Sequence, residues 1–493
     1  VKRLSVILLA LPLPLLSAPN SNATLRVLSL ADCVRQAVEH NFDVKIEEKN
    51  VEIARSQLGT AYGEYDPVLR GLVQHDYGLI TTTTGPLAAE NADTDHVEAG
   101  LTGRLPTGLE YDLGTAMRDA SGTHDVNGTN APFDATDGAV RVKLRQPLLK
   151  NAWIDAPRLH IQVSRKQLKI SELGLRGQLM NVITRVELAY YDLLLTREAV
   201  KVQEEALRLA EELLAANRAR IQQGVMAAQD EKQAESQASA QRSLLLAAQR
   251  AVGSQENVLK ALLSDRLQDW QDVGIQPATE LQAAPAAVQR SESWERGLSM
   301  RPDLLQARAD LERLGYIVKF NKNQLFPQLD VTGTYGHAAS DREFSGAFDQ
   351  ARRGSNPFYS YGLEMTIPLT RRTARETYRG SRAEQEQAVL RLRQLEQAIM
   401  LDIDDAVKVI ETDFERVSTT RSAREFAEAA LHAEQTRMDN GKGSSFVVLQ
   451  LQRDLTTARS EQVRALTEYN KAQAQLALRE GSVFQRHHIV LDP

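Results

Sequence analysis

The residues that could carry chemistry in this chain are few and scattered. It holds nine histidines, one cysteine (Cys33) and a cluster of aspartates, Asp402, Asp404 and Asp405. The histidines stand at no spacing that would let them share a metal with carboxylates or the thiol. His487 and His488 lie in a short tail and read as surface residues. Asp404 aligns with Glu187 in an internal repeat described below, so a solvated or inward-facing carboxylate explains it better than a catalytic pair. The chain shows no phosphate-binding loop, no nucleophile elbow and no dinucleotide fingerprint. It therefore reads as a non-enzyme without a cofactor. A formal net charge of −6 with interspersed signs gives no case for nucleic acid. One cysteine excludes an intrachain disulfide, and Cys33 reads as a half-buried helix residue.

The informative pattern is structural. Leu179, Val186, Leu193, Val200, Leu207, Leu214 and Ile221 recur every seventh residue, a seam that needs a partner helix. The helix that carries it should run from about Asp155 to Gln222. At ~1.5 Å per residue it would be roughly 100 Å long, too long for one compact domain. Ile403, Ile410, Val417, Leu431 and Met438 repeat the seam 217 residues later, interrupted by Glu396 and Arg424 at the positions matching Leu179 and Leu207. Before the first long helix, Ser29 caps a helix over 30–40, a second runs from Asp43 to about Gly63, and Tyr65-Asp66-Pro67 ends it. A shorter helix is expected from Ala227 to Ser264, then a linker.

Trp294 to Leu304 matches Val34 to Val44 at an offset of 260, and Tyr361 to Leu369 matches Val140 to Leu148 at 221. The chain is thus a duplicated unit, divided as a signal peptide 1–23, a first repeat 24–264, a linker 265–290, a second repeat 291–482 and a tail 483–493. Lys2, Arg3 and the apolar run to Leu16 carry the secretory signal. Each copy reads helix, helix, strand, loop, strand, very long helix, shorter helix. Within the strands, Leu329, Val331, Gly333 and Tyr335, then Tyr359, Tyr361, Leu363, Met365 and Ile367, alternate with polar residues, the pattern of a transmembrane barrel. Two strands per copy cannot close one, so several protomers must combine.

These features resemble the TolC-type outer-membrane channel family. The motifs that carry the resemblance include Ser29 to Asn41, Tyr65 to Leu69, Gln146 to Lys150, Val186 to Leu194 and Arg220 to Gly224. In the second copy they are Arg301 to Leu304, Phe326 to Leu329, Ile367 to Leu369 and Arg437 to Gly441. The resemblance implies a mixed α and β fold: long coiled-coil helices forming an α-helical barrel, and four strands per protomer in a shared trimeric β-barrel of twelve. It implies a homotrimer in outer-membrane lipid of a Gram-negative bacterium, working with a periplasmic adaptor and an inner-membrane pump as the passive exit duct of an efflux or type I secretion system. A soluble periplasmic coiled-coil adaptor or structural rod is the alternative.

By the same resemblance, the turn holding Arg220, Gly224, Val225 and Gly441 docks the adaptor. Asp230, six residues past Gly224, falls at a family latch position. The second-copy latch and acidic ring are replaced by Met438, Gly443, Val447 and Gln450, which leaves two readings of Asp230: a solvated charge next to Lys232, or a pair with Lys442 or Arg437. Residues 97–113 look like an added hairpin, in an extracellular loop or in the barrel wall. Arg141, Lys143 and Arg145 should face the lumen, with Glu364 level with Lys143, which reads as ordinary porin-like lumen polarity or, more sharply, as a mild anion preference.

Overall fold

The structure is a computed structural model that describes residues 24–82, 88–126, 129–223, 227–285 and 288–489. The expected signal peptide lies outside them. The first copy opens with β1 (Thr24–Leu28), α1 (Leu30–His40) and α2 (Phe42–Tyr62), followed by β2 (Val68–Thr82), β3 (Ala88–Arg104), β4 (Glu110–Val126) and β5 (Thr129–Pro147). Then come α3 (Ala156–Gln222), α4 (Ala228–Leu263) and β6 (Val273–Pro277). The second copy holds α5 (Arg290–Met300), α6 (Pro302–Asn323), β7 (Gln328–Asp341), α7 (Phe344–Arg353), β8 (Pro357–Thr366), α8 (Arg372–Asp439), α9 (Ser445–Glu480) and α10 (Val483–Arg486).

The duplication survives in three dimensions because equivalent helices are the same length. α4 and α9 each span 36 residues, and α3 and α8 span 67 and 68. α1 begins with a capping box, Ser29 exchanging hydrogen bonds with Asp32, and α3 begins with Asp155 accepting from the Arg158 amide. The shorter helices stack end to end beside the long ones. Asn41 at the start of α2 donates to the Leu262 carbonyl at the end of α4, 3.1 Å away, and Lys45 meets Asp265 at 2.6 Å. In the second copy Arg301, before α6, reaches the Arg479 carbonyl near the end of α9.

The heptad seam is only partly the buried face. Leu179, Val186 and Leu193 are buried, but Val200, Leu207, Leu214 and Ile221 are half-exposed, and burial passes to Ala206, Ala210, Leu213 and Asn217. A straight helix drifts ~20° per heptad, and the lower half of α3 turns toward α9, where Leu213 packs with Val448 and Leu449. The second seam holds better: Ile403, Ile410, Leu431 and Met438 are buried, and Val417 alone of its five members is half-exposed.

Three further expectations change. The 265–290 linker contains β6, which pairs in parallel with β1; the Tyr190 hydroxyl donates to the Leu28 carbonyl beside that pair. Cys33 is fully buried rather than half-buried, and burial pushes its thiol up to about 12. His487 is not a surface residue: it is 10 % exposed and lies 3.2 Å from Glu187, itself wholly buried and also facing Arg486 at 3.4 Å. The tail thus folds back to neutralise a carboxylate that burial would otherwise penalise.

The largest change is in the sheet. It has six strands in the order β2-β3-β4-β5-β7-β8, all neighbours antiparallel, where four were expected. The hairpin of β3 and β4, closed at Gly108 (φ 86°), is part of the sheet and not a loop. A hairpin at 97–113 is expected from the sequence, but nothing local to a strand says which neighbours it will pair with.

Candidate functional site: the helical mouth and the membrane wall

The register fixes the two faces of the sheet. Leu69, Leu101, Leu113, Val142, Tyr335 and Tyr359 lie level in one cross-strand row. Two rows away, Val73, Val97, Met117, Gly138 and Ala339 form another. On the other side of the first row come Tyr361, Leu363 and Met365. Beyond the Val73 row the same face turns polar, with His75, Asp95, Asp119, Thr136 and Asp341 in line. From Leu329 to Ala339 the apolar stretch is roughly 33 Å of strand at ~3.3 Å per residue. Tilted by ~40°, it gives a band about 25 Å tall, the height of an outer-membrane barrel's apolar belt. α7 lies across the top of the band, with Ala347 and Ala351 against Met117 and Ala339.

The opposite face is charged. Arg145 donates to Asp330 at 2.6 and 2.9 Å and to Glu110 at 3.3 Å; Glu110 also pairs with Arg104, and Arg70 reaches Asp112 at 3.3 Å. Asp330 is 1 % exposed, so its charge is held entirely by these partners and by Gln328. Arg141 and Lys143 share this face, as expected. Glu364 does not lie level with Lys143: Lys143 faces Thr334 and Ser360, while Glu364 is registered on Asp330, four residues along. The cations Arg70, Arg104, Arg118, Arg141, Lys143 and Arg145 share the face with Asp76, Glu98, Glu110, Asp112, Asp137, Asp330 and Glu364. The near balance removes the basis for an anion preference.

At the far end of the helices, α8 stops in a glycine-based cap. The Gly441 amide donates to the Met438 carbonyl and the Lys442 amide to the Arg437 carbonyl, with Gly441 at φ 71°, the two bonds of a Schellman motif. Gly443 follows with no room for a side chain: a Cβ there would stand 2.6 Å from the Met438 nitrogen. Met438 itself is buried with Leu213, Leu431 and Val448. The two copies are tied together here. Arg220 pairs with Asp439 at 3.0 Å, and Asn217 donates to the Ser445 hydroxyl at 2.8 Å and the Asp230 carbonyl at 3.4 Å. Within one protomer Arg437 pairs with Glu434, 3.3 Å away. Among the described residues neither it nor Lys442 pairs with Asp230, which is half-buried. Gly224 and Val225 lie outside the described residues.

Asn217 and Ser445 were missed in the sequence because a single polar residue on a long amphipathic helix looks like any other. The one signal was Asn217 itself, at a buried-stripe position four residues past Leu213.

The chain thus pairs helices of 67 and 68 residues with a sheet that has one apolar and one charged face. The outer membrane efflux protein family model matches residues 110–264 and 295–481, one segment in each copy. The chain belongs to the outer membrane efflux protein family. It is 24 % identical over 331 residues to the outer membrane efflux protein BepC of Brucella suis, covering 67 % of this chain and 69 % of that one. Its fold is that of solved outer-membrane channels. The Campylobacter jejuni CmeC channel superposes with a TM-score of 0.66 at 16 % identity, over 92 % of this chain and 85 % of that one. The Vibrio cholerae outer membrane protein VceC gives 0.66 at 15 %, over 92 % and 96 %. The open Neisseria gonorrhoeae MtrE channel gives 0.63 at 16 %, over 94 % and 93 %. As a member of this family the protein is an outer-membrane exit duct and not an enzyme. The soluble-rod alternative is thereby set aside.

Proposed function

We propose that three copies of this chain form one duct across the outer membrane and periplasm, that a periplasmic adaptor docks at its helical tip, and that an inner-membrane pump supplies the energy of an efflux or type I secretion system. The observation that carries the trimer is the sheet. It has an apolar face and a charged face, yet it is open at β2 and at β8, and an unpaired edge cannot stand in lipid. The half-exposed seam residues Val200, Leu207, Leu214 and Ile221 supply the apolar surface that a neighbouring protomer would cover along the tunnel.

The mouth is the docking and gating region. The turn after α8, shaped by Gly441, and its first-copy counterpart after Arg220, with Gly224 and Val225, present the adaptor surface. Arg220–Asp439 and Asn217–Ser445 hold the two helix pairs of one protomer together, so the closed mouth keeps both. Asp230 and Lys442 are available to contacts between protomers, and Arg437, exposed beside Glu434, can exchange that partner for one across the interface. Detergent-corrected light scattering on protein extracted from the outer-membrane fraction tests the assembly. A mass of three protomers is expected; a monomer or dimer would refute it.

A further inference from the structure

The hairpin of β3 and β4 changes the gauge of the duct. We infer that the membrane barrel is closed by eighteen strands, six from each of three protomers, and not by the twelve that four strands per protomer would give. This rests on the trimeric reading above.

Four observations support it. First, the hairpin is registered without interruption on both sides: β2 with β3 from Val68 to Thr82, and β4 with β5 from Glu110 to Val126. No bulge lets it peel away from the wall. Second, it carries the lipid-facing band at the same height as its neighbours. Val97, Ala99 and Leu101 of β3, and Leu113 and Met117 of β4, continue the rows of Val73 and Leu69 on one side and Gly138 and Val142 on the other. Third, its opposite face is built into the charged network: Glu110, which also accepts from Arg104, accepts from Arg145, and Asp112 accepts from Arg70. A hairpin folded over the outside or into the bore would not satisfy both faces at once. Fourth, six is an even number, so β2 and β8 run in opposite directions, and β8 of one protomer can meet β2 of the next as one more antiparallel pair.

The consequence is geometric. With strands ~4.8 Å apart and tilted by ~40°, the backbone radius of a closed barrel is about 12 Å for twelve strands and about 18 Å for eighteen. The cross-section therefore roughly doubles. A barrel of this width places the narrowest passage in the helical tunnel, so cargo size is selected there and not at the outer membrane.

Intersubunit distances decide the matter. Tyr361 points to lipid from the edge strand and is 85 % exposed; Cys33, fully buried, stays unlabelled. A nitroxide on Y361C in the full chain reports the side of a threefold triangle by pulsed electron–electron resonance. Backbone separation is about 31 Å for eighteen strands and about 21 Å for twelve, and the label adds the same length to both. The longer distance is expected. The shorter distance in a sample whose mass is three protomers would overturn the wide barrel and leave the trimer standing. A mass of one protomer with no intersubunit distance would overturn the trimeric reading itself. A second variant lacking residues 88–126 joins β2 to β5 with their directions preserved. It should fall to the shorter distance; an unchanged distance would show that the hairpin never belonged to the wall.

Discussion

Removing Arg145 should destabilise the sheet more than any other single change on its charged face. Asp330 is 1 % exposed and belongs to the second copy, while Arg145 belongs to the first and reaches it with two hydrogen bonds of 2.6 and 2.9 Å. With charge centres ~4 Å apart and an effective dielectric of ~20, the attraction is about 4 kcal/mol. Loss of one partner of a buried pair costs about 3–5 kcal/mol, because the other charge stays buried and unpaired. Arg145 is 38 % exposed, so water screens part of this, and about 2–3 kcal/mol is the expected loss for Arg145→Ala. Asp330→Ala should lose a similar amount, because it strands Arg145 beside Glu110 alone. The double variant should lose less than the sum by about 1–2 kcal/mol, the signature of direct coupling. Denaturant unfolding in micelles, followed by the fluorescence of Trp153, whose ring lies 6.3 Å from Phe326 near the base of the sheet, reads all three. Losses below about 0.5 kcal/mol for either single variant, or strict additivity in the double, would refute the claim that this pair locks the two copies together.

Other outcomes are expected from the same physics. Gly443→Ala forces its new Cβ against the Met438 backbone and should cost about 1–3 kcal/mol. Gly441→Ala meets open space but must hold φ 71°, costing about 1 kcal/mol; circular-dichroism melting separates the two, and equal small losses would contradict the clash. Arg220→Ala breaks a pair whose partner Asp439 is 72 % exposed, so stability should change by under about 1 kcal/mol. Its closed-state conductance in planar bilayers should rise, and an unchanged conductance would remove Arg220 from the gate. Near balance of charge on the barrel's polar face predicts a reversal potential close to zero under a salt gradient; strong selectivity of either sign would count against it. Burial pushes the Asp303 carboxyl up, but Arg301, 2.6 Å away, outweighs this and holds it below the usual range. That contribution is complete above the unfolded value of about 3.9 and is lost as pH falls from there through the folded value. Asp303→Asn should flatten the stability–pH curve in that acid window alone; an unaltered curve would mean the pair is too solvated to matter.

What could be read in the sequence was whatever repeats or caps locally. The duplication, the length of α3 and α8, the Ser29 cap and the alternation of β7 and β8 depend on residues a few positions apart, so they are written in one dimension. The resemblance added the class of machine, because its motifs mark corners that the backbone must turn. The tertiary structure decided what depends on partners far along the chain. It brought Arg145 to Asp330 and Arg220 to Asp439, folded His487 onto Glu187, paired β1 with β6, and passed burial on α3 from the heptad seam to Ala206, Ala210 and Leu213. Above all it counted the strands. Residues 97–113 announce a hairpin, but whether a hairpin enters a wall depends on hydrogen bonds to β2 and β5, and no periodicity within it records them.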